Sequence, residues 1–321
     1  VDSVVVVGAG IVGASIAYHL AQRGIRVRLV EQHAAPAQGV TGGSFAWVGD
    51  TAGGDWPGGA DELRLFVHAD YERLAVELPD FSLRRSGSLV WTEGSTRPGV
   101  TMSVGPGQRL VSAEEIALLE PSLLAVPDFA VFTPGDFAVD PVRLTALLVE
   151  GAVSFGAEVS YDFPVTSLDF GASTVVLAAG TGVAGLSPVP VEEAPALLLW
   201  ASAPEGLVRT IIATPDFEAR EVRPGELRLT APLSVDMERT FATFQASFSG
   251  ADSARLLGHA VGLRPMPPAG PVIGYVSPSL YVAVLHSALT LGPTVGRLVA
   301  EELASGSSPA ALARCRYNLG A

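Results

Sequence analysis

Three glycines and one acid stand at the spacing that a dinucleotide needs. Gly8, Gly10 and Gly13 follow the valine run at 4–7 in the pattern G-x-G-x-x-G, and Glu31 closes the next apolar run. In such a turn the first glycine permits the tight bend, the second lets the backbone approach a pyrophosphate, and the third lets the helix pack closely on the strand. The N–H groups and the positive dipole end at the start of the helix favour the phosphates. A carboxylate at Glu31 suits a ribose 2′-hydroxyl and repels a 2′-phosphate, which disfavours a 2′-phosphorylated dinucleotide. The motif alone does not separate a nicotinamide from a flavin dinucleotide.

These residues require a strand–helix–strand frame. Residues 4–7 read as a buried strand, 11–23 as a helix and 26–31 as a second strand, a unit that calls for a parallel sheet. Residues 33–60 read as loop, and its Gly-rich end at 49–61 reads either as a lid with Trp56 facing a pocket or as an ordinary surface loop. Leu63, Phe66, Val67, Leu74 and Leu78 predict a helix over 61–78, stopped by Pro79. Two strand pieces flank Gly87, and 94–107 reads as loop. Ser112 opens a helix with Glu115 completing a capping box, and Pro141 opens another that runs to about Phe155. The apolar run 174–180 is a strand, 190–248 holds short strands and a helix near 235–247, 260–285 is again strands, and 292–305 is a helix. The expected fold class is α/β, with two interleaved domains.

Composition removes other chemistries. All 20 basic residues of the 321 are Arg, so neither a lysine Schiff base nor the lysine of a Walker-type loop exists. Net charge is −13 with no basic run, so nucleic acid is not an expected partner. The single cysteine, Cys315, excludes an internal disulfide and any cysteine-cluster metal site. His19, His33, His68, His259 and His286 are scattered, so no metal site is expected. The first apolar run is too short to span a bilayer and no basic segment precedes it, so neither a membrane span nor a signal peptide is expected. A cytoplasmic protein is the expectation.

Five segments in order along the chain resemble the FAD-dependent D-amino acid oxidase, glycine oxidase and sarcosine oxidase superfamily. They are the fingerprint ending at Glu31, "TGGSFAWVG" at 41–49, "TVVLAAGTGVAGL" at 174–186, "GLRPMPPAGPVIGYV" at 262–276 and "LYVAVLHSALTLGPTVGRLVAEEL" at 280–303. The resemblance implies a Rossmann-like FAD-binding domain, interleaved with a mostly antiparallel β-sheet substrate domain. The expected division gives 1–80, 141–187 and 265–321 to the first, and 81–140 and 188–264 to the second.

It also implies cofactor contacts. Those in the fingerprint are Gly8, Ala9, Gly10, Ile11, Val12, Gly13, Glu31 and Gln32, followed by Thr41, Gly42, Gly43 and Ser44. Val165, Ala178, Ala179 and Gly180 come next, and His286, Ser287, Leu289, Thr290 and Leu291 close the set. The helix opening near Gly292 would aim its dipole end at a reduced flavin. His286 reads equally as a packed turn histidine or a flavin-side group. No cysteine lies near 262–270, so FAD is expected to be non-covalent. The segment 165–174 is too short for the strand meander such proteins carry there.

Arg264 matches the arginine that holds a substrate carboxylate in glycine- and D-amino-acid-oxidising relatives. Its planar guanidinium suits two-point binding of that group, and Pro265 stiffens the chain beside it. Arg84 and Arg85 read as a solvated pair, or as a pair near the substrate domain. Cys315 reads as an inert small residue. The resulting expectation is oxidation of an amino acid or of a primary or secondary amine to an imine, by hydride transfer to flavin with reoxidation by dioxygen. Three readings stand beside it: a flavoenzyme acting on hydroxy acids or on a larger metabolite, a flavin subunit of a hetero-oligomer, and an NAD-dependent dehydrogenase. A homo-oligomer is equally compatible with the sequence.

Overall fold

The computed structural model describes residues 1–49, 57–78, 83–93 and 104–317. The chain begins β1 (Ser3–Val7), α1 (Ile11–Gln22), β2 (Arg26–Val30), β3 (Trp47–Val48), α2 (Ala60–Arg64), α3 (Val67–Glu77), β4 (Leu83–Arg84) and β5 (Ser88–Val90). It continues with β6 (Arg109–Ser112), α4 (Ala113–Leu119), β7 (Phe129–Thr133), β8 (Phe137–Val139), α5 (Pro141–Ser154), β9 (Glu158–Ser160), β10 (Thr174–Leu177) and α6 (Val183–Leu186). It closes with β11 (Glu192–Ser202), β12 (Ile211–Ala213), β13 (Glu218–Arg223), β14 (Glu226–Ala231), α7 (Met237–Ser247), β15 (Arg255–Met266), β16 (Val272–Ser277), β17 (Leu280–Val284) and α8 (Ala288–Ser305). The expected helix stop at Pro79, the lid residue Trp56 and the loop over 94–103 lie outside the described residues.

A six-stranded sheet runs in the order β16-β17-β10-β1-β2-β9. Its strands are parallel except β16, which lies antiparallel on one edge. Val4, Val5, Val6 and Val7 sit at its centre, each no more than 6% exposed, which is why a continuous valine run fits here. An eight-stranded sheet runs in the order β15-β11-β14-β13-β12-β5-β7-β6 and is antiparallel except between β12 and β5. A short sheet, β3-β8-β4, stands beside them. The fold is therefore α/β, with a Rossmann-like parallel sheet and a second, mostly antiparallel sheet.

Local signals work as expected at two helix starts. The Ser112 hydroxyl accepts the Glu115 N–H at 3.3 Å while the Glu115 carboxylate accepts the Ser112 N–H at 3.2 Å. Asp140 accepts the Val142 and Arg143 N–H groups, with Pro141 at the first helical position of α5.

Elsewhere the structure departs from the sequence reading. The helix expected over 61–78 is two helices, broken where the exposed Leu65 and Phe66 interrupt the apolar stripe. The expected loop 33–60 contains β3, which pairs with β8. No strand lies between Ser160 and Thr174, in keeping with the short 165–174 segment.

The closing helix α8 starts at Ala288, earlier than Gly292, and carries Pro293 inside it. A proline there removes the N–H that would bond the Leu289 carbonyl. The Tyr71 hydroxyl of α3 donates to that carbonyl instead. Two glycines of α8 let it lie close on α1. A Cβ at Gly296 would be 2.1 Å from the Ser15 hydroxyl oxygen, and one at Gly292 would be 3.2 Å from Ile11 Cγ1. The contact fixes the start of α8 beside the start of α1.

Candidate active site

Two adjoining cavities lie where the sheets meet. The first, of about 610 Å³, opens at the C-terminal ends of β1, β10 and β17, the crevice where such sheets bind ligands. Gly8, Gly10, Ile11, Val12, Glu31, Gln32, Thr41, Val165, Ala178, Ala179 and Gly180 line it. Gly8 adopts φ +102°, a conformation that favours glycine, and a Cβ there would sit 2.6 Å from the Ala178 carbonyl oxygen. A Cβ on Gly13 would fall 1.9 Å from the Gly8 carbonyl oxygen, so strand, turn and helix close on each other only with glycine at this position. Around Gly10 the space is open apart from the Thr41 hydroxyl at 3.2 Å. That hydroxyl accepts the Ile11 N–H, which ties the 41–44 loop to the head of α1.

Glu31 lies one residue beyond β2 and is 8% exposed. Its carboxylate accepts the Ala9 N–H at 2.7 Å and the His33 N–H at 3.0 Å, one on each oxygen. Each oxygen keeps a second acceptor direction for a hydroxyl of a ligand. Gly10 open between two close-packed glycines, an uncapped helix start and a held acid fit the pyrophosphate and ribose of FAD.

The second cavity, of about 340 Å³, shares Val40, Thr41, Pro265, Leu285 and Ala288 with the first. Arg264, Glu218, His286, Ser287, Ser44, Trp47, Leu289 and Thr290 are among its lining residues. Arg264 projects from β15 as an exposed side chain, with Nε donating to the Ala194 carbonyl at 3.3 Å. His286 is half-buried, and burial together with the charge of Arg264 pulls its pKa down, so it is neutral at pH 7. Ser287, at φ 55°, turns the chain sharply into α8. Trp47 is held by its indole N–H on Asp136 at 2.8 Å and by its carbonyl, which accepts the Thr290 hydroxyl.

Some residues expected at the cofactor line neither cavity. Ala9 lends its N–H to Glu31, Gly13 packs on Gly8, Gly42 packs on the Ala37 carbonyl, Gly43 lies against Leu198, and Leu291 is wholly buried in the core. Arg84 is half-buried and paired with the buried Glu221 at 2.5 Å, whereas Arg85 pairs with Glu72 in solvent. Cys315 is buried with its thiol pushed up to about 11, too high for a reactive thiolate at neutral pH. Among the described residues no helix is long and apolar enough to cross a membrane, and no cluster of His, Cys, Asp or Glu could hold a metal.

Glu218 is the residue that sequence reading missed. It sits in a strand segment, "DFEAREV", that carries no motif, and only the sheet brings it to Arg264. Loss of solvation pushes its pKa up to about 7, against the pull of the Arg264 charge.

The model of the FAD dependent oxidoreductase (DAO) family matches residues 3–302. The chain belongs to this family. Glycine oxidase of Bacillus licheniformis is 29% identical over 187 residues, which cover 56% of this chain and 50% of that protein. The chain thus matches half the length of that relative. The crystal structure of glycine oxidase from Geobacillus kaustophilus superposes with a TM-score of 0.84 at 20% identity, covering 100% of both chains. Iminodiacetate oxidase from Chelativorans sp. BNC1 gives 0.78 at 22% identity, covering 98% of each. The family is FAD dependent, and in such proteins the flavin carries the redox chemistry.

Proposed function

We propose that this chain oxidises the C–N bond of a small amino acid, or of a related primary or secondary amine, to an imine. The observation that carries the reading is a guanidinium, Arg264, in a cavity that runs into the dinucleotide crevice. The names of the relatives, glycine oxidase and iminodiacetate oxidase, describe substrates with the same amine-plus-carboxylate chemistry.

FAD, held non-covalently, supplies acceptance of the α-hydride at N5 and passage of the electrons to dioxygen. The chain's own residues do the rest. Gly8, Gly10 and the head of α1 hold the pyrophosphate, and Glu31 holds the ribose. Arg264 grips the substrate carboxylate at two points, which fixes the face of the α-carbon. The N-terminus of α8, at Ala288, offers a positive dipole end beside both cavities. Neutral His286 adds a wall without placing a second positive charge beside Arg264. In this reading 1–80, 141–187 and 265–321 form the cofactor unit, and 81–140 with 188–264 the substrate unit.

The purified protein should show a flavin absorbance spectrum, and acid precipitation should release the colour into the supernatant. An amine panel with peroxide detection then identifies the substrate. Arg264→Leu should cost about 2–4 kcal/mol in kcat/KM toward the amino acid, and little toward the matching amine without a carboxylate. Equal losses on both would remove Arg264 from substrate binding.

A further inference from the structure

We propose that Glu218 binds the substrate's ammonium group opposite Arg264 and accepts its proton, so that this pocket selects zwitterionic amino acids and delivers them as neutral amines. The proposal rests on the reading of Arg264 as the carboxylate site.

The sheet itself creates the arrangement. In register across the eight-stranded sheet, Glu218 of β13 lies beside Thr230 of β14, and Thr230 beside Leu198 of β11. Two residues back along β11, Ala196 pairs with Gly262 of β15, and Arg264 follows two residues on. All six line the same cavity, so they occupy one face, as residues two apart on a strand must. Four of them are small or apolar, or have the hydroxyl already committed, since Thr230 donates to the Leu197 carbonyl at 2.8 Å. What remains is one acid and one guanidinium on an otherwise bland floor. An amino acid carries the complementary two charges on groups attached to one carbon.

The partnering of the other acids strengthens the case. Each buried carboxylate in the described residues is held: Glu31 by two N–H groups, Asp70 by Arg297 and Arg73, Glu120 by the Thr210 hydroxyl and backbone, Glu221 by Arg84, and Glu302 by Arg316 and Tyr281. Asp136 likewise accepts from Trp47 and Ser88. Half-buried Glu218 alone among these has no hydrogen-bond donor in the described residues, although it faces the cavity. Its carboxylate opens onto the cavity with no protein donor committed to it, which leaves it available to a ligand's N–H groups.

The proton step balances simply. An N–H bond of the ammonium breaks and an O–H bond forms on Glu218. Nitrogen keeps the electron pair that oxidation of the neighbouring C–H requires. A carboxyl that titrates near neutral pH is matched to this task. The other titrating or charged groups lining the cavity are Arg264 and His286, the latter neutral at pH 7. Since Glu218 must be ionised to accept the proton, kcat/KM for an amino acid should rise with pH through about 7. In Glu218→Gln this limb should move up to the substrate's own ammonium ionisation, with a loss of about 10²-fold at pH 7.

Binding gives an independent readout. Acetate, an anion without an amine, should bind the FAD-loaded wild type with proton uptake near pH 7, measured by calorimetry in buffers of different ionisation enthalpy. It should bind Glu218→Gln without uptake, and methylamine should bind that variant more weakly. If wild type takes up no proton, or if His286→Asn rather than Glu218→Gln abolishes the uptake, Glu218 is not the acceptor. Unchanged methylamine affinity in Glu218→Gln would equally overturn the proposal. If acetate binds Arg264→Leu as tightly as wild type, the carboxylate reading of Arg264 fails instead, and the methylamine result still judges Glu218 separately.

Discussion

Glu31→Gln separates two duties that one carboxylate performs. Its oxygens accept the Ala9 N–H at 2.7 Å and the His33 N–H at 3.0 Å. An amide has one oxygen and one NH₂ group, so in either orientation one of these backbone donors must face another donor. Hydrogen bonds to a charged acceptor contribute about 1.5–3 kcal/mol, and a buried donor left without a partner costs about 1–3 kcal/mol. The site is 8% exposed, so water offers little rescue. The substitution should therefore destabilise the FAD-free protein by about 2–3 kcal/mol. At about 2–4 °C per kcal/mol for a chain of this order of size, Tm should fall by about 4–12 °C. FAD affinity should fall as well, because the ribose loses a charged acceptor and the Ala9–Gly10 turn loses its anchor. A tenfold loss corresponds to about 1.4 kcal/mol. Thermal unfolding without FAD reads the first effect, and titration by quenching of FAD fluorescence reads the second. An unchanged Tm without FAD would refute the view that Glu31 holds the turn. A lowered Tm with unchanged affinity would refute its contact with the ribose while leaving the turn intact.

Further outcomes follow from the same geometry. Gly10→Val should abolish FAD binding, because the open space around Gly10 is the approach for the pyrophosphate; retained binding by titration would refute that placement. Gly13→Ala should act earlier, on folding: its Cβ would overlap the Gly8 carbonyl, at a cost of about 1–3 kcal/mol or more, visible as a lowered Tm without FAD. Tyr71→Phe should destabilise the protein by about 1–3 kcal/mol, since the Leu289 carbonyl has no N–H at Pro293 to turn to. In a double-mutant cycle Pro293→Ala should recover part of that loss, and strictly additive effects would show that the Tyr71 hydroxyl is not the substitute donor.

Much of the local structure is legible in the residues themselves. The glycine spacing, the valine run, the capping box at Ser112 and the Asp140–Pro141 helix start act within a few residues, and each appears where the sequence reading expects it. The start of α8 escapes that reading because a proline within the first turns looks like a boundary. Only a side chain from α3, distant in sequence, supplies what the proline lacks. The single helix expected over 61–78 fails for a related reason, since a periodic pattern does not reveal where two short helices part to reach one core.

The lining of the second cavity was decided by tertiary structure. Arg264 stands out in the sequence because a Gly-x-Arg-Pro stretch marks it, whereas the acid that shares its cavity does not. Glu218 opens a six-residue strand that holds three other charged residues, Arg220, Glu221 and Arg223, and nothing local distinguishes it from the other acids of an acidic chain. What distinguishes it is register. Three strand pairings carry one face of the sheet from β13 to β15 and set a guanidinium, and an acid with no hydrogen-bond donor among the described residues, around one cavity beside the glycine-lined crevice. Motifs encode contacts that the chain makes with its own neighbours. A pocket assembled across four strands depends on pairings between residues far apart in sequence, and those exist only once the sheet has formed.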